Sequence, residues 1–191
     1  MKRVKTISPL LLVVVGLASV CVAQRGWNRR RPARDRDGTI IDRRGVDSWE
    51  MKPGFKDDTF TFVRIAYRSW NEWGGRGRGR NRWDTDGPDS ELNFSFRQQQ
   101  LTSIKVNPEP IVLTLTDPRL FDYPFIYIVE PGALEFTEDE AESLRHYLDN
   151  GGFLMVDDFW GEDEWYNFDG QMRRVFPDRN WYEVPLEHEI F

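Results

Sequence analysis

Cysteine and histidine are nearly missing from this chain. Its 191 residues contain one cysteine, Cys21, and two histidines, His146 and His188. One thiol excludes a disulfide framework and a cysteine-based zinc site. Two imidazoles exclude a histidine-rich metal centre. The longest apolar stretch is also short of the ~20 residues that cross a bilayer as a helix. What is present is 39% hydrophobic residues, 14% aromatics and eight tryptophans. That suffices for one core, and the length fits one domain of about 100–200 residues, alone or with a tail. Any chemistry has to come from carboxylates, arginines and aromatic rings.

The segment from Met1 to Ala23 reads as an export signal. Lys2, Arg3 and Lys5 precede an apolar stretch from Leu10 to Val22, broken by Gly16. Cys21-Val22-Ala23 places small residues where a leader is cut, so cleavage is expected after Ala23. The alternative is a retained N-terminal anchor. Val20 is a poor residue before a lipidated cysteine, and the basic region has no arginine pair for export of prefolded proteins. Cleavage after Ala23 leaves no cysteine, which excludes a thiolate nucleophile. The expected location is the periplasm or cell envelope.

Charge is split along the chain. Residues 24–83 carry 16 Lys/Arg against 8 Asp/Glu, whereas residues 84–191 carry 7 against 24. The total is −6. Residues 24–56 lack hydrophobic periodicity and are expected to form a basic, solvated, disordered segment, because they have little to bury against the entropy of ordering. Arg29, Arg30 and Arg31 within it suit peripheral contact with anionic headgroups, an envelope polysaccharide or the acidic body itself.

Residues 57–191 read as an α/β domain. Thr59–Tyr67 is a β-rich run and predicts the first strand. Trp70 to Trp83 contains Gly74, Gly75, Gly77 and Gly79 and predicts a long loop. After Pro88, the apolar residues Leu92, Phe94, Phe96, Leu101 and Ile104 predict an amphipathic helix to about Ser103. Ile111–Thr116 and Phe125–Val129 predict two more strands. Thr137 and Glu140 form a capping box before a helix carrying Ala141, Leu144 and Leu148, which Gly151 and Gly152 close. The apolar run Phe153–Val156 predicts a strand covered on both faces. A helix over about 162–175 and a short strand near Tyr182–Val184 complete the reading.

Alternating strands and helices imply a mostly parallel sheet with right-handed crossovers. Asp117, Glu130, Asp157 and Asp158 follow strand ends, so they are expected to gather on the edge where open α/β sheets bind ligands.

Several segments are similar to a known family. Phe62-Val63-Arg64-Ile65, Leu101–Pro110, Leu115-Thr116-Asp117-Pro118, Phe121–Phe125, Gly151–Phe159 and Gln171–Pro177 resemble the domain-of-unknown-function 4159 family over roughly residues 59–191. The resemblance implies a flavodoxin-like, class I glutamine amidotransferase-like three-layer sandwich. It also implies bacterial export or membrane association, and it brings no established activity. Proteins of that superfamily often place a cysteine on the turn where Asp157-Asp158 stand here, so glutaminase chemistry does not carry over. Family members usually continue past the position of Phe191, so the sheet is expected to be one or two elements short.

Two constellations are candidates. Asp117, Glu130, Asp157 and Asp158 can hold Mg²⁺ or Ca²⁺ through oxygen ligands or supply a general base; the alternative is helix capping and solvated turns. Trp70, Trp73, Trp83 and Trp160 with Arg76 and Arg78 suit sugar rings or anionic glycans; the alternative is aromatic cover over the strand ends. No metal site or cofactor is specified by spacing, and an exported protein is not expected to meet nucleic acid. The expected function is a non-catalytic binding or assembly module whose partner is an envelope protein or anionic glycan. The second expectation is a metal-assisted hydrolase acting on an envelope glycan or peptide. Self-association through opposite charges is the third.

Overall fold

A computed structural model describes residues 34–36, 39–51, 58–69 and 82–190. The segment Met1–Ala23 that is expected to be an export signal, and Arg29, Arg30 and Arg31, lie outside the described residues. No described helix is long and apolar enough to cross a membrane.

Four parallel strands form one sheet in the order β2-β1-β3-β4. They are β1 (Val63–Ile65), β2 (Ile111–Leu113), β3 (Phe125–Val129) and β4 (Phe153–Asp157). Among the described residues three α-helices accompany the sheet: α1 (Asp89–Leu101), α2 (Glu138–Asp149) and α3 (Glu162–Val175). Alternation within the strands separates two layers of side chains. Val63, Ile65, Leu113, Ile126 and Ile128 pack with Ala141, Leu144, Phe168 and Val175 of α2 and α3. On the other face Phe62, Tyr127 and Val129 form a smaller cluster. There Phe94 of α1 lies 5.4 Å from Phe62 and 6.1 Å from Phe125, ring centre to ring centre.

Thr137 caps α2 as expected. Its hydroxyl accepts from the Glu140 amide at 3.1 Å, and the Glu140 carboxylate accepts from the Thr137 amide at 2.8 Å. Two end amides without a partner inside the helix are thereby satisfied.

The first strand is shorter than its apolar pattern. Its ladder spans only Val63–Ile65, although Phe60 bridges to Val106 and the Phe62 carbonyl accepts from Ile111. The second strand likewise stops at Leu113. Along α1 the buried positions are Glu91, Leu92 and Ser95; Leu101 at its end and Ile104 beyond it are exposed.

Two expectations about the sheet edge are corrected. The run Phe153–Val156 is not covered on both faces, because β4 is an edge strand and Phe153 and Met155 remain 55% and 38% exposed. Helix α1 lies over β1 and β3 and leaves their face of β4 uncovered. Residues Tyr182–Val184 form no strand; Trp181 instead packs on α3.

Part of the segment expected to be solvated is docked on the domain. Ile40 is 3% exposed, and its amide donates to Glu109. Arg43 pairs with Glu109 at 2.5 Å and Arg44 with Asp89 at 2.8 Å. The Trp49 indole donates to the Val106 carbonyl at 2.8 Å. Arginines that look like solvated charge in the sequence find carboxylates at the start of α1 and beside β2.

Candidate functional site: the acidic rim beyond β1, β3 and β4

In the order β2-β1-β3-β4 the chain reverses its direction of strand addition between β1 and β3. Such a reversal leaves a crevice beyond the carboxyl ends of the two strands. Tyr67, just past the end of β1, fills the crevice floor. Its hydroxyl lies 2.8 Å from the Val129 carbonyl and 2.6 Å from the Glu130 carbonyl. Burial first, and then the Glu130 charge, push the Tyr67 phenol far above its usual range.

The wall on the α1 side is held from below. Arg64, in the middle of β1, is fully buried against Glu91 of α1, with Nε to Oε1 at 2.5 Å. Its Nη1 donates to the carbonyls of Trp83 at 2.8 Å and Thr85 at 2.9 Å. Nη2 donates to the Ser90 hydroxyl at 2.6 Å. The loop 82–86 is therefore tied to the sheet through one guanidinium. Thr85, on that loop, faces the Glu130 carboxylate and favours its charged form.

Glu130, Asp157, Asp158, Asp86 and Glu164 surround the crevice. Glu130 is half-buried, and burial raises its pKa above the ordinary value; Thr85 and Arg82 oppose the rise, while Asp158 and Glu164 add to it. Asp158 is raised by burial, then by Asp157, Asp86 and Glu164. Each of these carboxyls meets its neighbours' negative charge, which makes ionisation harder. Asp157 sits one step further out. Its Oδ1 accepts from the Asp158 amide at 2.7 Å, and its Oδ2 lies 3.4 Å from the Tyr127 hydroxyl. Burial and the Asp157 charge raise the Tyr127 phenol to about 12.

Three of these acids occupy left-handed backbone: Asp86 (φ 56°), Glu130 (φ 48°) and Asp158 (φ 67°). L-residues enter that region at a cost, and such residues concentrate at functional sites. Glu164 supplies the counter-charge contact. It accepts from Arg82 at 2.8 Å and from the Trp160 amide at 2.9 Å. Trp160 is 71% exposed.

The four candidate acids do not all meet. Glu130, Asp157 and Asp158 share the rim through the adjacent strands β3 and β4. Asp117 follows β2 at the opposite edge of the sheet, two strand spacings or ~10 Å from β3. It caps a short 3-10 turn and pairs with Arg119 at 2.7 Å, which holds its pKa below the ordinary value. Trp83 packs against the main core rather than standing open as a binding platform. Trp70, Trp73, Arg76 and Arg78 lie outside the described residues. Among the described residues no group of three or more His, Cys, Asp or Glu side chains is arranged to hold a metal ion.

A family model described as "Domain of unknown function (DUF4159)" matches residues 61–191. The chain belongs to the DUF4159 family. No curated protein is similar enough to the chain to count as a match. The matched region contains all of the described rim of this DUF4159 domain, from Arg64 to Glu164.

Sequence reading missed several members of the rim. Glu164 reads as part of a helix-start charge cluster, and nothing in the sequence singles out Asp86. A signal for the supporting pair was visible: Arg64 interrupts the otherwise apolar run Phe62–Ala66. A charge inside a buried strand needs a partner within reach. No local pattern identifies Glu91 as that partner, because the two lie 27 positions apart in the chain.

Proposed function

We propose that this DUF4159 protein is a non-catalytic binding module of the cell envelope, and that its acidic rim receives a lysine- or arginine-bearing segment of a protein partner. The observation that carries this reading is the convergence of Glu130, Asp158, Asp86 and Glu164 at the strand ends, with Arg82 among them. Crowded carboxylates repel one another, and an incoming cation relieves that repulsion. A charge-assisted hydrogen bond contributes about 1.5–3 kcal/mol where water is displaced. The exposed Trp160 ring adds a face on which a guanidinium can stack. The same charge argues against an anionic glycan at this rim.

The segment Met1 to Ala23 supports an extracytoplasmic setting through its basic start, apolar stretch and small residues at the expected cut. The order β2-β1-β3-β4 supports a flavodoxin-type, amidotransferase-like sheet, because it reproduces the first four positions of the doubly wound order 2-1-3-4-5.

Titration with a short oligo-arginine peptide tests the binding reading, with an oligo-glutamate peptide as control. Saturable binding that weakens with salt and falls at least tenfold in Glu130→Gln/Asp158→Asn is the expected result. Equal affinity for wild type and the double variant would reject the rim as the binding surface.

A further inference from the structure

A second concave site forms where the chain after α3 folds back on that helix. Met172, Phe176 and Trp181, with Asp169, Arg173 and Arg179, line a cavity of about 220 Å³. Met172 and Phe176 are four positions apart, so they share one side of the helix end. Both also pack against the main core. Trp181 rests 5.1 Å from Trp165 and 5.8 Å from Phe168, ring centre to ring centre, and is still 51% exposed. Its indole donates to Asp169 Oδ1 at 2.6 Å, while Arg173 Nε donates to Asp169 Oδ2 at 2.9 Å. Both oxygens of that carboxylate are therefore occupied, and together they fix the Trp181 wall.

The two guanidiniums of the cavity have donors to spare. Arg179 gives Nη2 to Asp149 at 2.7 Å and lies 4.1 Å over the Phe176 ring. Arg173 gives only Nε, to Asp169. Each guanidinium carries five N–H donors, so most of them remain for a ligand. The carbonyls of Arg174 and Val175, which end α3, are taken by Arg145 at 2.8 and 2.5 Å. That weakens the negative potential an anion meets at a helix C-terminus.

Size and charge then define the ligand. An apolar cavity of ~150 Å³ takes up benzene, so this one holds a single ring or a branched alkyl group with a short chain. An incoming cation would meet Arg173 and Arg179 and would have to compete for Asp169. A carboxylate instead finds two guanidiniums whose planar forks match its oxygens. We propose that the cavity is a binding site for a small apolar carboxylate, its ring or alkyl body against Trp181 and Phe176 and its carboxylate on Arg173 and Arg179. The site lies at the far end of α3, roughly 18 Å of helix rise from Glu164, and does not depend on what the acidic rim binds.

NMR titration of the full chain with hydrocinnamate tests the proposal. It is read at the Trp181 indole N–H, which Trp181→Phe assigns. A saturable shift is expected. The neutral amide of the same acid should bind at least tenfold more weakly, a comparison that needs no variant. Arg173→Gln/Arg179→Gln replaces two exposed side chains and should weaken hydrocinnamate at least tenfold, whereas Arg97→Gln on α1 should leave its affinity unchanged. A tripeptide ending in phenylalanine with a free carboxylate separates two sources of this chemistry. Tighter binding than hydrocinnamate assigns the site to a peptide terminus, and equal or weaker binding assigns it to a free acid. Equal affinity for acid and amide, no saturable shift at Trp181, or equal weakening in Arg97→Gln would overturn the proposal.

Discussion

Arg64 and Glu91 meet at 2.5 Å with neither side chain more than 1% exposed. The remaining donors of Arg64 end on Trp83, Thr85 and Ser90, so this pair connects β1, α1 and the loop that carries Thr85 to Glu130. A charge so deeply buried is tolerated because every edge of the guanidinium is used. The pair contributes geometry to the rim more than net stability, since its desolvation offsets much of its attraction.

Arg64→Met is expected to cost about 3–5 kcal/mol, because the Glu91 charge stays buried without its counter-ion. Arg64→Met combined with Glu91→Leu should recover most of that loss, as apolar replacements of buried pairs usually do. Urea denaturation of the two variants and wild type measures both. A double variant no more stable than Arg64→Met would show that the loop contacts, rather than the lost pairing, set the cost.

The rim acids predict an unusual pH response. Burial and like charge raise the Glu130 and Asp158 carboxyls above their ordinary 4.5 and 3.8. The folded state therefore binds their protons more readily than the unfolded chain. The resulting penalty is complete above the folded pKa values and is removed as pH falls through them toward the ordinary ones. Glu130→Gln and Asp158→Asn should each raise the Tm at neutral pH, and the gain should shrink in acid. Asp117 behaves in the opposite sense. Arg119 depresses its pKa, so its contribution is present above 3.8 and is lost as pH falls through the lower folded value. Thermal melts of Glu130→Gln, Asp158→Asn and Asp117→Asn from about pH 3 to 8 check the signs.

The strands and helices were largely legible because their signals are local. A capping box, a glycine pair after a helix and apolar runs of the right length each lie within a short stretch of chain. Helix α3 and strand β3 fall where their patterns place them. Burial of β4 was not legible, because it depends on where α1 packs, and two strands and a helix separate α1 from β4 in the chain. The rim was half legible. Strand-end position brings Glu130, Asp157 and Asp158 together, but it treats Asp117 alike because strand order is invisible in one sequence. Asp86 and Glu164 arrive from a loop and a helix that only the fold brings to the strand ends. The docking of Ile40 and Trp49 was hidden by the charge around them.

The cap of α2 gives a local test of the helix layer. Thr137→Ala removes the acceptor for the Glu140 amide and is expected to cost about 1 kcal/mol. Glu140→Gln should cost less, because glutamine can still accept from the Thr137 amide. Chemical denaturation of both variants tests the order.

Gly132 holds the last element of the rim in place. A Cβ at this position would overlap Cδ of Glu164, the side chain that accepts from both Arg82 and the Trp160 amide. Gly132→Ala must displace the flexible end of Glu164, so its effect is felt through the loss of the Arg82 and Trp160 contacts rather than through core overpacking. The expected result is faster amide exchange at Trp160 together with a changed affinity for the oligo-arginine peptide. Gly170 provides the control. It lies inside α3 with open space where a Cβ would stand, so Gly170→Ala should stabilise the domain by up to about 1 kcal/mol and leave Trp160 untouched. If Trp160 exchange accelerated equally in both variants, global stability would govern it, and the specific role assigned to Glu164 would be lost.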